Sequence, residues 1–309
     1  MSLRTTASQT DDIRRFVRRC TPAQGAADRT LLIVHGAGEH SGRYSHLVSP
    51  IVARGWNVVA GDLSGHGRSS GVATHLDDFE QYLADLDAVY RHFRLEPQRT
   101  ALFGHSMGGL VATRYAQTRA GCAAALVLSA PLLAFGMHVP MTRRMLGRLC
   151  LAVAPRTRFQ THVRLEDITR NPEAIKRRVE DPLTNRTVTA GWYFRVHAAL
   201  QQAASDGRLL KLPLLLMQGA NDRIVRPETA VAWFVSTGSA DRSLWVLRDH
   251  LHELLNEPDW DQTLCQMLDW LEARVARRLP LPAPEVELVE TQIPVVATST
   301  QAAEMVAAG

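Results

Sequence analysis

Three short stretches hold side chains whose types and spacing could do chemistry together. The first, Gly104-His105-Ser106-Met107-Gly108, is a G-x-S-x-G pentapeptide. It lies between an apolar run, Ala101-Leu102-Phe103, and a helical pattern over Leu110–Arg119. Strand, sharp turn and helix are the setting of a nucleophile elbow, which lifts a serine hydroxyl above a sheet at the positive end of the following helix. Glycines flank such a turn because neighbouring backbone passes where a Cβ would stand. Serine is a weak nucleophile until a base takes its proton and a third group holds that base. On this kind of sheet the partners follow in the order serine, acid, histidine. In the second stretch Leu214–Met217 reads as a strand running into Gln218-Gly219-Ala220-Asn221-Asp222, where the Asp222 carboxylate could reach an imidazole. In the third, Leu244–Leu247 runs into Arg248-Asp249-His250-Leu251-His252-Glu253, and spacing alone does not separate His250 from His252. Asp249 and Asp241 are fallback acids, but each lies closer to the histidines than an intervening strand–helix unit allows.

Acyl transfer also needs backbone donors aimed at the oxyanion. The amide of Met107, next to the serine, is one. The loop His35-Gly36-Ala37-Gly38 supplies the other, and Ala37 is the choice within it. The same glycines do not form G-x-x-x-x-G-K-[ST] or G-x-G-x-x-G after the strand, which argues against a phosphate or dinucleotide cradle. His250-Leu251-His252-Glu253 is not H-E-x-x-H and no third ligand accompanies it, so neither metal nor cofactor is expected.

These residues need a scaffold that brings distant segments together. Leu31–Val34 and Trp56–Ala60 read as buried strands, Ala124–Leu128 as another, and Ile13–Cys20 as a weakly alternating edge strand. Helical spacing runs over Tyr44–Ala53, over Asp77–Phe93 with Phe79, Leu83, Leu86, Val89 and Tyr90 on one stripe, near Glu228–Val235 and over Asp259–Arg278. Alternation of strand and helix implies βαβ units and a mostly parallel central sheet with helices on both faces. Residues 12–131 and 207–278 form the two parts of this core. Residues 132–206 break the rhythm with helical pieces, two Asx-Pro dipeptides and no convincing strand, and read as a helical insertion over the carboxyl ends of the strands. From 279 to 309 the chain is rich in Pro, Val, Thr and Ala, a composition that suggests a disordered tail.

The bulk numbers exclude several classes. A length of 309 residues allows a large core, and a net charge of +4 is too small to argue for nucleic acid. Four cysteines without a C-x-x-C pair suggest neither a zinc site nor a disulfide framework, and fit buried thiols in a reducing compartment. No signal-like N-terminus and no apolar run near 18 residues is present, so a cytoplasmic protein is expected. Charge is nonetheless uneven: residues 142–178 carry ten basic side chains against Glu166, Asp167 and Glu173. Mixed with Met145, Leu146, Leu149 and Val153, they could rest transiently on an anionic lipid surface, or form a helix whose apolar face packs on the core.

With these residues collected, the chain resembles the monoacylglycerol lipase and lysophospholipase group of α/β-hydrolases, the serine-aminopeptidase-like "hydrolase 4" family. Five stretches carry the resemblance: His35-Gly-Ala-Gly-Glu-His-Ser-Gly-Arg-Tyr44, Asp62-Leu-Ser-Gly-His-Gly-Arg-Ser69, Gly104-His-Ser-Met-Gly-Gly109, Gly219-Ala-Asn-Asp-Arg223 and His252-Glu-Leu-Leu-Asn-Glu257. It implies a triad of Ser106, Asp222 and His252, oxyanion amides at Ala37 and Met107, and a lid over an acyl-chain tunnel. His35, His66 and His105 then order loops. The implied activity is hydrolysis of lipid-like carboxylic esters, a monoacylglycerol or lysophospholipid first. The alternatives are a short-chain carboxylesterase, a thioesterase, or a non-catalytic hydrolase-fold binding protein. A peptidase fits less well, because no acidic anchor for a free amino terminus is evident. The sequence departs from the group in residues 12–29, where the usual opening hairpin is not clear, and in its tail.

Overall fold

The structure, a computed structural model, describes residues 14–22, 27–134, 141–161, 163–275 and 286–295. The chain opens with β1 (Arg14–Pro22) and β2 (Arg29–Val34), then α1 (Ser45–Ala53), β3 (Trp56–Gly61) and α2 (Glu80–Phe93). Next come β4 (Thr100–His105), α3 (Met107–Thr118) and β5 (Ala125–Ser129). A long excursion follows, with α4 (Met141–Val153), β6 (Arg158–Gln160), α5 (Pro172–Glu180), β7 (Thr187–Thr189) and α6 (Ala190–Ser205). The chain then returns through β8 (Leu214–Gly219), α7 (Pro227–Ser236), β9 (Arg242–Leu247), α8 (Trp260–Glu272) and β10 (Val286–Pro294).

Eight strands form one sheet in the order β10-β1-β3-β2-β4-β5-β8-β9. From β3 to β9 every neighbouring pair is parallel, while β1 runs antiparallel to both β3 and β10. Parallel strands covered on both sides read as continuous apolar runs, and all six residues of β2 are buried. Alternate residues feed two cores. Leu32 and Leu102 face α2, α3 and α6 through Leu83, Leu110 and Val196. Leu31, Ala101 and Phe103 face α1 and α8 through Leu47, Ile51, Leu264 and Leu268. This is the α/β-hydrolase architecture, a mostly parallel sheet with helices on both faces.

Local signals explain the element ends. Asn171 caps α5 by accepting from the amides of Glu173 and Ala174 at 3.1 and 3.4 Å, with Pro172 in the first turn. One Asx-Pro dipeptide therefore starts a helix, and its partner, Asp181-Pro182, follows where that helix stops.

Two expectations need correction. Residues 132–206 do contain strands: β6 and β7 pair antiparallel as a separate two-stranded sheet. At three residues each they are too short to show a period of two. The tail was expected to be disordered, yet residues 286–294 form β10 and pair along the whole of β1, from Arg14 opposite Pro294 to Pro22 opposite Val286. Ile293 is fully buried, and Glu290 bonds Arg18 at 2.8 Å and Arg68 at 3.1 Å. Composition misled because β-branched residues that weaken a helix fit a half-buried strand well. β1 is therefore an inner strand, with β10 outside it. The remaining tail, 279–285 and 296–309, lies outside the described residues.

Candidate active site

Ser106 sits between β4 and α3 with φ 51° and ψ −119°, a conformation that non-glycine residues rarely adopt. The surroundings over-determine it. Its amide donates to Ser129 O at 3.0 Å, and its carbonyl accepts from Gly109, Leu110 and Leu132. A Cβ at Gly104 would collide with the Gly108 carbonyl, and one at Gly108 with the carbonyls of Val34 and His35. Both glycines are thus dictated by close backbone approach. Met107 is the first residue of α3 and fully buried, and an amide at that position has no partner within its own helix.

Asp222 and His252 meet. His252 Nδ1 lies 2.8 Å from Asp222 Oδ2, and both residues are buried. The other carboxylate oxygen accepts from the amides of Ile224 and Val225 at 2.8 and 3.0 Å. Burial alone would push Asp222 up, but His252 and these amides outweigh it and hold the carboxyl below its ordinary range. Burial would push His252 down; the Asp222 charge and hydrogen bond, aided by Glu253 and Glu39, leave it above its ordinary value. The two shifts agree in sense, each favouring the charged form of its group. The His252 ring packs on that of His105, the residue before Ser106, with centroids 4.9 Å apart.

The competing groups point elsewhere. His250 Nε2 faces Thr263 Oγ1 and Asp259 Oδ1, each 3.5 Å away on the α8 side. Asp241 is held by Arg274, and Asp249 is exposed. Ala37 lies in the turn after β2. A Cβ at its neighbour Gly36 would stand 3.3 Å from Ser106 Cβ, so this turn runs directly beside the serine. His35 orders it: Nε2 accepts from Leu63 N at 2.9 Å, which puts the proton on Nδ1 for donation to Gly36 O at 2.8 Å. Burial keeps His35 and His66 low, His66 at about 3, so both are neutral.

Sequence reading missed the residues that support this arrangement. Gln218 is fully buried and donates to Asp222 Oδ2 at 3.0 Å. Glu39 accepts from Gly36 N at 2.5 Å, Tyr44 Oη at 2.7 Å and Arg43 Nε at 2.9 Å. Arg43 also bonds Glu253, the residue after His252, at 2.6 Å. The four-residue spacing of Glu39 and Arg43 was a visible signal, but their link to Glu253 spans 210 residues. An 870 Å³ cavity opens beside the Asp222 turn, lined among others by Arg170, Asn221, Arg226 and Asp249. It does not include Ser106, and its walls are too polar for an acyl chain.

Among the described residues no cluster of three metal-ligating side chains occurs, and no helix is long and apolar enough to cross a membrane. All four cysteines are free, but only Cys20 and Cys122 are buried; Cys150 is half-buried and Cys265 exposed.

Comparison with known proteins agrees with the fold. The family model described as serine aminopeptidase, S33, matches residues 25–259. Phospholipase YtpA of Bacillus subtilis is 31% identical over 238 residues, covering 75% of this chain and 92% of that protein. Monoacylglycerol lipase of Mycolicibacterium smegmatis is 28% identical over 251 residues, covering 78% and 87%. Among solved structures, the monoacylglycerol lipase of Paleococcus ferrophilus superposes with a TM-score of 0.76 at 29% identity, covering 83% of this chain and 98% of that one.

Proposed function

The chain belongs to the serine aminopeptidase S33 family of α/β-hydrolases, and from that membership we propose that it hydrolyses carboxylic esters of lipid-like substrates through Ser106, His252 and Asp222. Ser106 Oγ attacks the ester carbonyl while His252 Nε2 takes its proton, and Asp222 holds Nδ1 and stabilises the imidazolium. The amides of Ala37 and Met107 donate to the oxyanion. The tetrahedral intermediate collapses by breaking the ester C–O bond, and His252 returns the proton to the leaving alcohol. Water, deprotonated by His252, then attacks the acyl-Ser106, and the acid leaves with the serine hydroxyl restored. The observation that carries this reading is the buried Asp222–His252 pair, 2.8 Å apart, packed against the residue that precedes a strained elbow serine.

The proposed substrate class is a monoacylglycerol or a lysophospholipid, in keeping with relatives named a monoacylglycerol lipase and a phospholipase. The insertion between β5 and β8 acts as a lid over the acyl chain. Its α4 leaves Met141, Met145, Leu149 and Val153 exposed at four-residue spacing, beside Arg144 and Arg148. Such a face suits transient contact with an anionic lipid surface, and the expectation that this stripe packs on the core does not hold for these side chains. Labelling with a fluorophosphonate tests the nucleophile: wild type reacts and Ser106→Ala does not. Labelling of Ser106→Ala at the wild-type level removes the proposal. Glyceryl and p-nitrophenyl esters of increasing chain length, a thioester and an aminoacyl anilide then separate lipase from esterase, thioesterase and aminopeptidase.

A further inference from the structure

The turn after β2 and the loop after β9 are held together by a segment of the insertion. Arg178, near the end of α5, bonds Glu253 Oε1 at 3.0 Å and stands 3.9 Å from Glu39 Oε2. Three residues on, Asp181 Oδ2 pairs with His40 Nε2 at 2.6 Å. Further along, the Asn185 amide donates to Gly38 O at 2.8 Å, and a Cβ at Gly38 would collide with the Asn185 carbonyl. Within residues 178–185 the insertion therefore grips three successive residues, Gly38, Glu39 and His40, and with the same arginine the neighbour of His252. The glutamates of this group are buried with their arginines, Arg43 being only 7% and Arg178 14% exposed at the side chain. Two carboxylates with two guanidiniums balance charge. Without Arg178, two buried carboxylates would share one cation, an arrangement that strongly disfavours keeping both in place.

We propose that residues 178–185 of the insertion clamp the oxyanion turn to the His252 loop, and that Arg178 is a positioning residue for hydrolysis. This rests on the serine-hydrolase reading above. Arg178 acts through Glu39, whose carboxylate fixes the Gly36 amide one residue before Ala37, and through Glu253, whose backbone continues from His252. The insertion thus completes the reaction centre from outside, besides covering it. Small displacements of reacting groups can cost about 100-fold in rate, so the expected signature is in turnover and not in substrate affinity.

The test compares wild type, Arg178→Gln, Arg178→Lys and Lys176→Gln on a soluble p-nitrophenyl ester. Lys176→Gln removes the same charge from the exposed side of α5. The proposal expects kcat of Arg178→Gln to fall roughly 10- to 100-fold with KM changed less than about 3-fold, partial recovery in Arg178→Lys, and no change in Lys176→Gln. It also expects Glu39→Gln and Arg178→Gln to be non-additive, the double variant losing less than the product of the single losses. Asp181→Ala provides an independent arm if Arg178→Gln does not fold, with kcat falling at least 3-fold at unchanged KM. An unchanged kcat in folded Arg178→Gln or Asp181→Ala overturns the clamp, as does a loss confined to KM or one equalled by Lys176→Gln. A wild-type protein that neither labels nor turns over any ester fails the parent reading instead.

Discussion

Between Asp222 and His252 the structure sets a charge interaction whose consequences are kinetic. In the proposed hydrolysis the base is the neutral imidazole, so kcat/KM is expected to rise with pH as free His252 loses its proton. Because Asp222 raises the His252 pKa, the midpoint of that rise is expected above the 6.5 of an ordinary histidine. Asp222→Asn removes the charge and leaves the imidazole free to take the wrong tautomer. It is expected to move the midpoint down and lower kcat by about 10⁴-fold. A pH–rate profile of both proteins decides this, and an unmoved midpoint would show that the pair does not govern the base. At this scale the turns that carry Ser106 and Asp222 were readable, because a strand followed by a tight turn leaves a strong local pattern. The histidine was not separable by spacing. His250 and His252 are two residues apart in an irregular loop, and only the direction of each ring distinguishes the one facing Thr263 from the one facing Asp222. The pairing of Glu253 with Arg43 and Arg178 was invisible for another reason: charge pairing between distant segments leaves no period in the chain.

Single elements were legible in proportion to their length and burial. β2, β4, β5 and β8 are apolar because both faces are covered, and their ends were found within a few residues. α2 showed its stripe because Leu83, Leu86 and Val89 pack in the core, while Arg91 and His92 at its end are exposed. β10 failed on composition, although its side chains mean different things on its two faces. Ile293 is fully buried, whereas Leu288 is 55% exposed. Ile293→Ala is accordingly expected to destabilise the fold by about 2 kcal/mol or more, and Leu288→Ala by no more than about 0.5 kcal/mol. Urea unfolding of the two variants checks this; equal midpoints would mean that β10 contributes nothing to the stability of the sheet.

For the whole molecule, position matters more than total charge. A net charge of +4 is modest, yet the basic side chains concentrate in the segment that carries the exposed apolar stripe of α4. Binding to anionic vesicles is expected to weaken as salt rises, since exposed charges are screened within about 10 Å at 0.1 M. Co-sedimentation with anionic and neutral vesicles across a salt series measures it. Binding in Met145→Ser/Leu149→Ser equal to wild type would exclude α4 as the contact. The sheet holds one more consequence, for the chain while it is being made. β1 leaves the ribosome long before its outer companion, residues 286–294, which is encoded far downstream of it. During that interval β1 exposes an unpaired row of amides and carbonyls, a template for other strands. A message cut before Val286 would leave that row open for good. Its product, with Ser106, Asp222 and His252 already translated, would tend to clump with its siblings before the proposed chemistry could begin.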